Sequence, residues 1–96
     1  LRSYAEAGKT GGVELWMQIN HPGRQEPASI SARPRAPSDV RLGSNEAVFG
    51  TPIPLSHDEI LDIVRRFVHV AETARATGFG GVQIHAAHGY LLSNFL

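Results

Sequence analysis

Apolar residues fall in three clear blocks along the chain. Between Gly12 and Pro22 the run Val13-Glu14-Leu15-Trp16-Met17-Gln18-Ile19 is apolar at all positions but Glu14 and Gln18. It has strand length, β-favouring residues and breakers on both sides. The pattern is nearly continuous rather than alternating, as in a parallel strand covered on both faces. A buried strand is therefore predicted over 13–19. The second block begins at Ser56-His57-Asp58-Glu59, which reads as a capping box with acids at the positive end of the helix dipole. Ile60, Ile63, Val64, Phe67, Val70, Ala71 and Ala74 follow at spacings of three and four and trace one buried stripe. Asp62, Arg65, Arg66, Glu72 and Arg75 fall mostly on the other faces, and Gly78 is the expected C-terminal stop. After Phe79-Gly80-Gly81 comes a second short strand, Val82-Gln83-Ile84-His85, then a polar-tipped turn over 86–89 and the start of another helix over 90–96.

The remaining stretches carry no such period. The first dozen residues mix Ala, Glu, Gly and Lys, end on Gly11-Gly12 and give no element of their own. Residues 22–54 hold all six prolines with several Gly and Ser. Loops beyond about 12–15 residues without structure of their own are uncommon and usually functional or disordered. Arg24, Arg33, Arg35 and Arg41 make this segment positive, partly offset by Glu26, Asp39 and Glu46. Two readings stand side by side: a solvated, irregular excursion, and a lid or binding loop over a site.

The order strand, long loop, helix, strand implies parallel strands and a right-handed crossover, hence the α/β class. Two strands and one helix do not close a core, because the helix covers only one face of the pair. More sheet is expected beside it, from further chain or from partners.

Composition narrows the function. Nine Lys and Arg balance nine Asp and Glu, for a formal charge of zero. That excludes a basic nucleic-acid binder and a polybasic membrane-surface segment. No apolar stretch approaches the roughly 20 residues a membrane span needs. Cysteine is absent, which removes disulfide scaffolds and Cys-ligated zinc and suits a reducing, cytoplasmic setting. The chain opens on Leu1 rather than Met with no visible signal peptide, and the expectation is a piece of a longer polypeptide.

Candidate chemistry collects where the two strands end. Gln18, Asn20, His21 and Arg24 follow the first strand; His85, His88 and Tyr90 follow the second. Parallel pairing would bring both groups to the carboxyl edge, where ligands sit in α/β folds. Imidazoles at 85 and 88 can hydrogen-bond a substrate oxygen, ligate a metal or act as acid–base groups. A metal needs a third ligand, for which His21 is available, but no carboxylate stands beside these histidines and no metal site is expected. Tyr90 reads equally as a proton donor and as the aromatic first-turn residue of a helix. Gln18 offers a donor and an acceptor suited to a heterocycle edge, or to satisfying loop backbone. Arg24 reads as an anion anchor or as a brace on loop carbonyls. Gly80-Gly81 lacks the dinucleotide spacing G-x-G-x-x-G.

The run Gly81-Val82-Gln83-Ile84-His85-Ala86-Ala87-His88-Gly89-Tyr90-Leu91-Leu92-Ser93-Asn94-Phe95-Leu96 closely resembles the signature of the Old Yellow Enzyme family, FMN-dependent NADH:flavin oxidoreductases and ene-reductases built on a (β/α)8 barrel. Trp16-Met17-Gln18-Ile19-Asn20-His21-Pro22-Gly23-Arg24-Gln25 resembles that family's third-strand motif, and the resemblance extends over nearly the whole chain. It implies one partial domain, 1–96, around the third and fourth strands of a TIM barrel, with the Pro-rich loop 22–54 inside it. A full barrel takes about 250 residues. The resemblance therefore also implies that the flavin phosphate site lies outside this chain and that the chain alone is not a competent enzyme.

Carried over by position, the resemblance makes His85 and His88 the pair that binds a substrate carbonyl or nitro oxygen, with Asn an accepted variant at 88. It makes Tyr90 the proton donor and Gln18 the residue at the pyrimidine edge of FMN, with His85 also counted at the cofactor. The implied reaction reduces an activated C=C bond of a small electrophilic alkene, NAD(P)H recharging the flavin. His21 and Arg24 receive no role, and Asn94 stands where the family often has glutamine, a departure with no chemical consequence visible in the sequence. The implied partners are the remaining barrel segments or a homo-oligomer. Two rivals were weighed: a metal-dependent barrel hydrolase using His21, His85 and His88, and a non-catalytic truncated assembly piece.

Overall fold

The computed structural model describes residues 1–43 and 48–96. It contains α1 (Arg2–Gly8), β1 (Trp16–Ile19), a 3-10 turn (Gly23–Gln25), β2 (Arg35–Ala36), β3 (Ile53–Pro54), α2 (His57–Thr77), β4 (Gly81–Ile84) and α3 (Leu91–Asn94). The chain divides into two compact units, Leu1–Ile19 with Leu61–Ile84, and Asn20–Ile60 with His85–Leu96.

The first unit is built on the predicted parallel pair. β1 and β4 run parallel in the register Trp16↔Gly81, Met17↔Val82, Gln18↔Gln83 and Ile19↔Ile84. The first strand is shorter than the predicted 13–19, and its burial alternates: Trp16 and Gln18 are exposed, Met17 is half-buried and Ile19 is buried. Residues before Trp16 have no strand partner because β4 starts only at Gly81, opposite it. Within this chain the strand is thus covered on one face only. One element has no counterpart among the predicted ones, α1, which forms upstream of the strand. Its Ala5 is fully buried and packs with Ala74 and Phe79, flanked by Leu15, Met17 and Val82, while Tyr4 stacks on Phe79 at 6.2 Å.

The exit of α2 is a Schellman turn. Phe79 N–H donates to Ala74 O at 3.0 Å and Gly78 N–H to Arg75 O at 3.2 Å, with Gly78 at φ 105°. Glycine takes this left-handed conformation without a Cβ penalty. Arg2 Nη2 donates to Ala76 O at 3.1 Å, placing a cation at the negative end of α2. The predicted stripe on α2 holds except at Val64, which is exposed together with Val68. The second strand is also shifted by one residue from the expected 82–85, so His85 lies just beyond it.

The second unit contains the proline-rich segment, which is irregular over most of its length but holds two short strands. β2 and β3 pair in parallel, Arg35↔Ile53 and Ala36↔Pro54, through Ile53 N–H to Pro34 O at 2.7 Å and Leu55 N–H to Ala36 O at 2.8 Å. Pro54 falls between those two donors, a position that needs no N–H. Pro34 and Pro52 are fully buried, at low cost because proline brings no N–H to satisfy. Pro27 bridges Phe49. Glu46, counted among the loop's acids, lies outside the described residues.

The α2 N-terminus carries the predicted capping box. Ser56 N–H donates to Glu59 Oε2 at 2.7 Å, and Glu59 N–H donates to Ser56 Oγ at 3.2 Å. Arg35 forms an ion pair with the same carboxylate. The Ser56 N–H above all, with the Ser56 hydroxyl and Arg35, holds the Glu59 carboxyl below its ordinary value against the opposing effect of desolvation.

Candidate functional site

Beyond the end of β4, Ala87-His88-Gly89-Tyr90 form a four-residue turn closed by Tyr90 N–H to Ala87 O at 3.3 Å. His88 has φ 58° and Gly89 has φ 74°, and positive φ at both central residues is the mark of a type I′ turn. Glycine enters this region freely, and histidine is one of the few side chains enriched there. Two amides grip the turn from outside. Gln25 Nε2 donates to His88 O at 2.7 Å, and Asn94 Nδ2 donates to Gly89 O at 2.8 Å.

The segment after β1 is fastened to the same turn. Leu91 N–H donates to His21 O at 3.0 Å. Gly23 is buried at φ 59°. A Cβ there would stand 2.9 Å from the Leu91 backbone and 2.8 Å from Asn94 Oδ1, so only glycine lets the 3-10 turn seat this closely. His21 Nδ1 accepts from Gly23 N–H at 3.0 Å. The two stretches that stood out in the sequence, 20–25 and 85–94, are thereby locked backbone to backbone.

Three predicted site residues come together on this frame. The His85 ring lies 5.3 Å from His88 and 4.9 Å from Tyr90, centroid to centroid, edge to face in both cases. His85 is half-buried, and its Nδ1 accepts from Ala87 N–H at 3.2 Å. A neutral imidazole that accepts at Nδ1 carries its proton on Nε2. His85 is therefore set as an Nε2–H donor. The arrangement can offer N–H groups to an oxygen, with a phenol alongside.

Gln18 belongs to the first unit. It sits exposed in register with Gln83 and donates from Nε2 to Gln83 Oε1 at 2.8 Å. Its Oε1 and second N–H remain for another partner, a donor–acceptor edge that fits the alternating pyrimidine edge of a flavin. Of the two readings of Arg24, the brace is the one observed: its guanidinium donates to Val40 O and, at 3.3 Å, to Ser38 Oγ. Among the described residues no three His, Cys, Asp or Glu side chains gather as a metal site requires, so His21, His85 and His88 do not form the set that the hydrolase alternative needs. Sequence reasoning passed over Gln25, Gln83 and Asn94. Asn94 does have a consequence, since it holds the turn that carries His88, but nothing in its spacing announces a contact made through a backbone carbonyl.

Parallel strands joined by a helix, with donor groups gathered just past the end of a strand, are the arrangement found at the carboxyl edge of α/β folds, barrels among them. The whole chain, residues 1–96, matches the model of the NADH:flavin oxidoreductase / NADH oxidase family, and the chain belongs to that family. The family's cofactors are FMN and NAD(P)H. The chain is 40% identical over 94 residues to the NADH-dependent flavin oxidoreductase nadA of Aspergillus parasiticus, covering 96% of this chain and 21% of that protein. It is 44% identical over 75 residues to 12-oxophytodienoate reductase 2 of Arabidopsis thaliana, covering 78% of this chain and 20% of that protein. The crystal structure of TcOYE with pHBA, an Old Yellow Enzyme barrel, matches with a TM-score of 0.79 and 28% identity, over 96% of this chain and 30% of that one. The chain thus spans about a fifth of the length of these two relatives.

Proposed function

We propose that this chain is the substrate-oxygen and proton-donor segment of an FMN-dependent ene-reductase that acts on enones and related electrophilic alkenes. The observation that carries the reading is the His85–His88–Tyr90 cluster, with the His85 proton set on Nε2 by the Ala87 amide. His85 and His88 donate to the substrate's carbonyl oxygen. There they stabilise the negative charge that grows on oxygen as the alkene accepts a hydride, and fixed donors aimed at developing charge are the strongest common form of catalysis. Tyr90 donates its phenolic proton to the α-carbon as a general acid. Gln18 and His85 are the residues of this chain that would contact FMN, Gln18 through its amide donor and acceptor. FMN, when bound and reduced, supplies the hydride, and NAD(P)H restores it. The substrate is a small molecule, and the rest of the barrel completes the site. No helix among the described residues is long and apolar enough to cross a membrane.

The test is product analysis with the intact oxidoreductase that carries this segment, loaded with FMN and supplied with NADH or NADPH and 2-cyclohexenone. The expected product is the saturated ketone, one nicotinamide oxidised per ketone formed. Allylic alcohol as product, or no turnover of any enone by a flavin that NAD(P)H does reduce, would overturn the reading.

A further inference from the structure

The turn that carries His88 is held in an uncommon backbone conformation, and its restraints come from two side chains without an assigned role. His88 at φ 58° and Gly89 at φ 74° lie in the left-handed region, which a residue bearing a Cβ enters only at an energetic cost. The carbonyls on either side of the Gly89 nitrogen and carbon, His88 O and Gly89 O, each accept one side-chain amide. Gln25 Nε2 reaches the first at 2.7 Å and Asn94 Nδ2 the second at 2.8 Å. Both amides are placed by backbone that is itself fixed. Gln25 ends the 3-10 turn that seats on Leu91 through Gly23, and Asn94 N–H donates to Tyr90 O at 3.0 Å.

The Asn94 amide is used at one end only. Its Oδ1 is buried and accepts no hydrogen bond among the described residues. A Cβ at Gly89 would lie 2.8 Å from Gln25 Nε2 and would push that amide aside. The amides therefore act on the two peptides that flank Gly89 and fix the turn on which His88 stands.

We propose that Gln25 and Asn94 are positioning residues that fix the two successive peptides of the turn, His88–Gly89 and Gly89–Tyr90, and so aim the His88 imidazole at the substrate oxygen. This rests on the function proposed above. Loss of either N–H donor frees the turn to leave the left-handed region, and His88 then meets the oxygen at the cost of reordering. Binding of oxygen ligands weakens, while the rate of flavin reduction by nicotinamide is expected to stay at the unmodified value.

The experiment titrates the intact, FMN-loaded oxidoreductase with 4-hydroxybenzaldehyde and follows flavin absorbance. The variants are Gln25→Met, Asn94→Leu, Gln25→Lys and His88→Ala, with the rate of flavin reduction by nicotinamide as the second readout. Gln25→Met and Asn94→Leu keep side-chain bulk without the donor, and each is expected to weaken binding about three- to tenfold, the size of one lost hydrogen bond. The corresponding rise in enone KM is expected to exceed the fall in kcat, and flavin reduction is expected to stay at the unmodified rate. Gln25→Lys restores an N–H donor toward His88 O and is expected to regain most of the affinity, which a role in packing alone would not produce. If His88→Ala weakens binding while Gln25→Met and Asn94→Leu do not, the positioning role is overturned and the proposed function stands. If His88→Ala leaves binding unchanged, the site reading and the positioning role fall together. Should Gln25→Met lose FMN, Gln25→Lys decides: recovery of FMN and of phenol affinity supports the role, and recovery of FMN without affinity overturns it.

Discussion

At the scale of single residues, the site depends on which side chains tolerate the backbone they are given. His88 sits at φ 58°, where β-branched residues are genuine outliers and where Asn, Asp and His are enriched. This gives a physical account of the resemblance noted in the sequence, in which Asn is an accepted variant at this position. Both side chains carry an N–H donor, and both accept the left-handed turn. His88→Asn is therefore expected to change the stability of the intact protein by no more than about 0.5 kcal/mol, and His88→Val to cost about 1–3 kcal/mol, measured by denaturant unfolding. Equal stability of the two would show that the turn places no demand on residue 88. The motif residues were legible from sequence, but the tautomer of His85 was not, since it follows from one backbone amide, that of Ala87, curling back onto Nδ1 at 3.2 Å.

Elements follow from local signals where the sequence concentrates them. The α2 start is a reciprocal pair of bonds between Ser56 and Glu59, and the spacing alone announced it. Ser56→Ala is expected to cost about 1 kcal/mol. The depressed Glu59 pKa fixes the sign of the pH dependence. A carboxyl whose folded value lies below its unfolded value binds protons more readily when unfolded. Its stabilisation is present above the ordinary value near 4.5 and is lost as pH falls through the folded value. The difference in melting temperature between the unmodified protein and Glu59→Gln is expected to be largest above pH 5 and to shrink toward pH 3; a difference that grows on acidification would contradict the assignment. Other elements were invisible for an equally physical reason. α1 has a composition without a periodic stripe, and it forms because Ala5 fits against Ala74 and Phe79, partners more than sixty positions away. β2 and β3 are two residues each and exist only as a pair, so neither leaves a pattern of its own. Gly23 is the tightest joint between the two motifs. Gly23→Ala combines left-handed strain with a clash against Leu91 and is expected to cost about 2–4 kcal/mol, read as a lowered unfolding midpoint.

For the molecule as a whole, the class was legible because a parallel strand–helix–strand order is a strong constraint and because two long motifs stand in the right order. The expectation of an uncovered sheet face is met within the first unit, where Trp16, Gln18 and Gln83 are exposed on one side of the strand pair. Within this stretch of chain only one face of the strand is covered, that of Met17 and Ile19, while Trp16 and Gln18 stand on the face that none of the described residues covers. The short strands inside the proline-rich segment left no period to read, and the two prolines buried beside them, Pro34 and Pro52, sit there cheaply because proline brings no N–H to satisfy.

The central claim is that Tyr90 gives the proton that completes alkene reduction. It is tested most directly by measuring the two half-reactions separately in the intact FMN-loaded enzyme, unmodified and as Tyr90→Phe. Flavin reduction by nicotinamide is expected to proceed at the unmodified rate, while reoxidation by 2-cyclohexenone slows by about 10²–10⁴-fold, the range of a lost general acid. Reoxidation at the unmodified rate would remove Tyr90 from the chemistry and contradict the account.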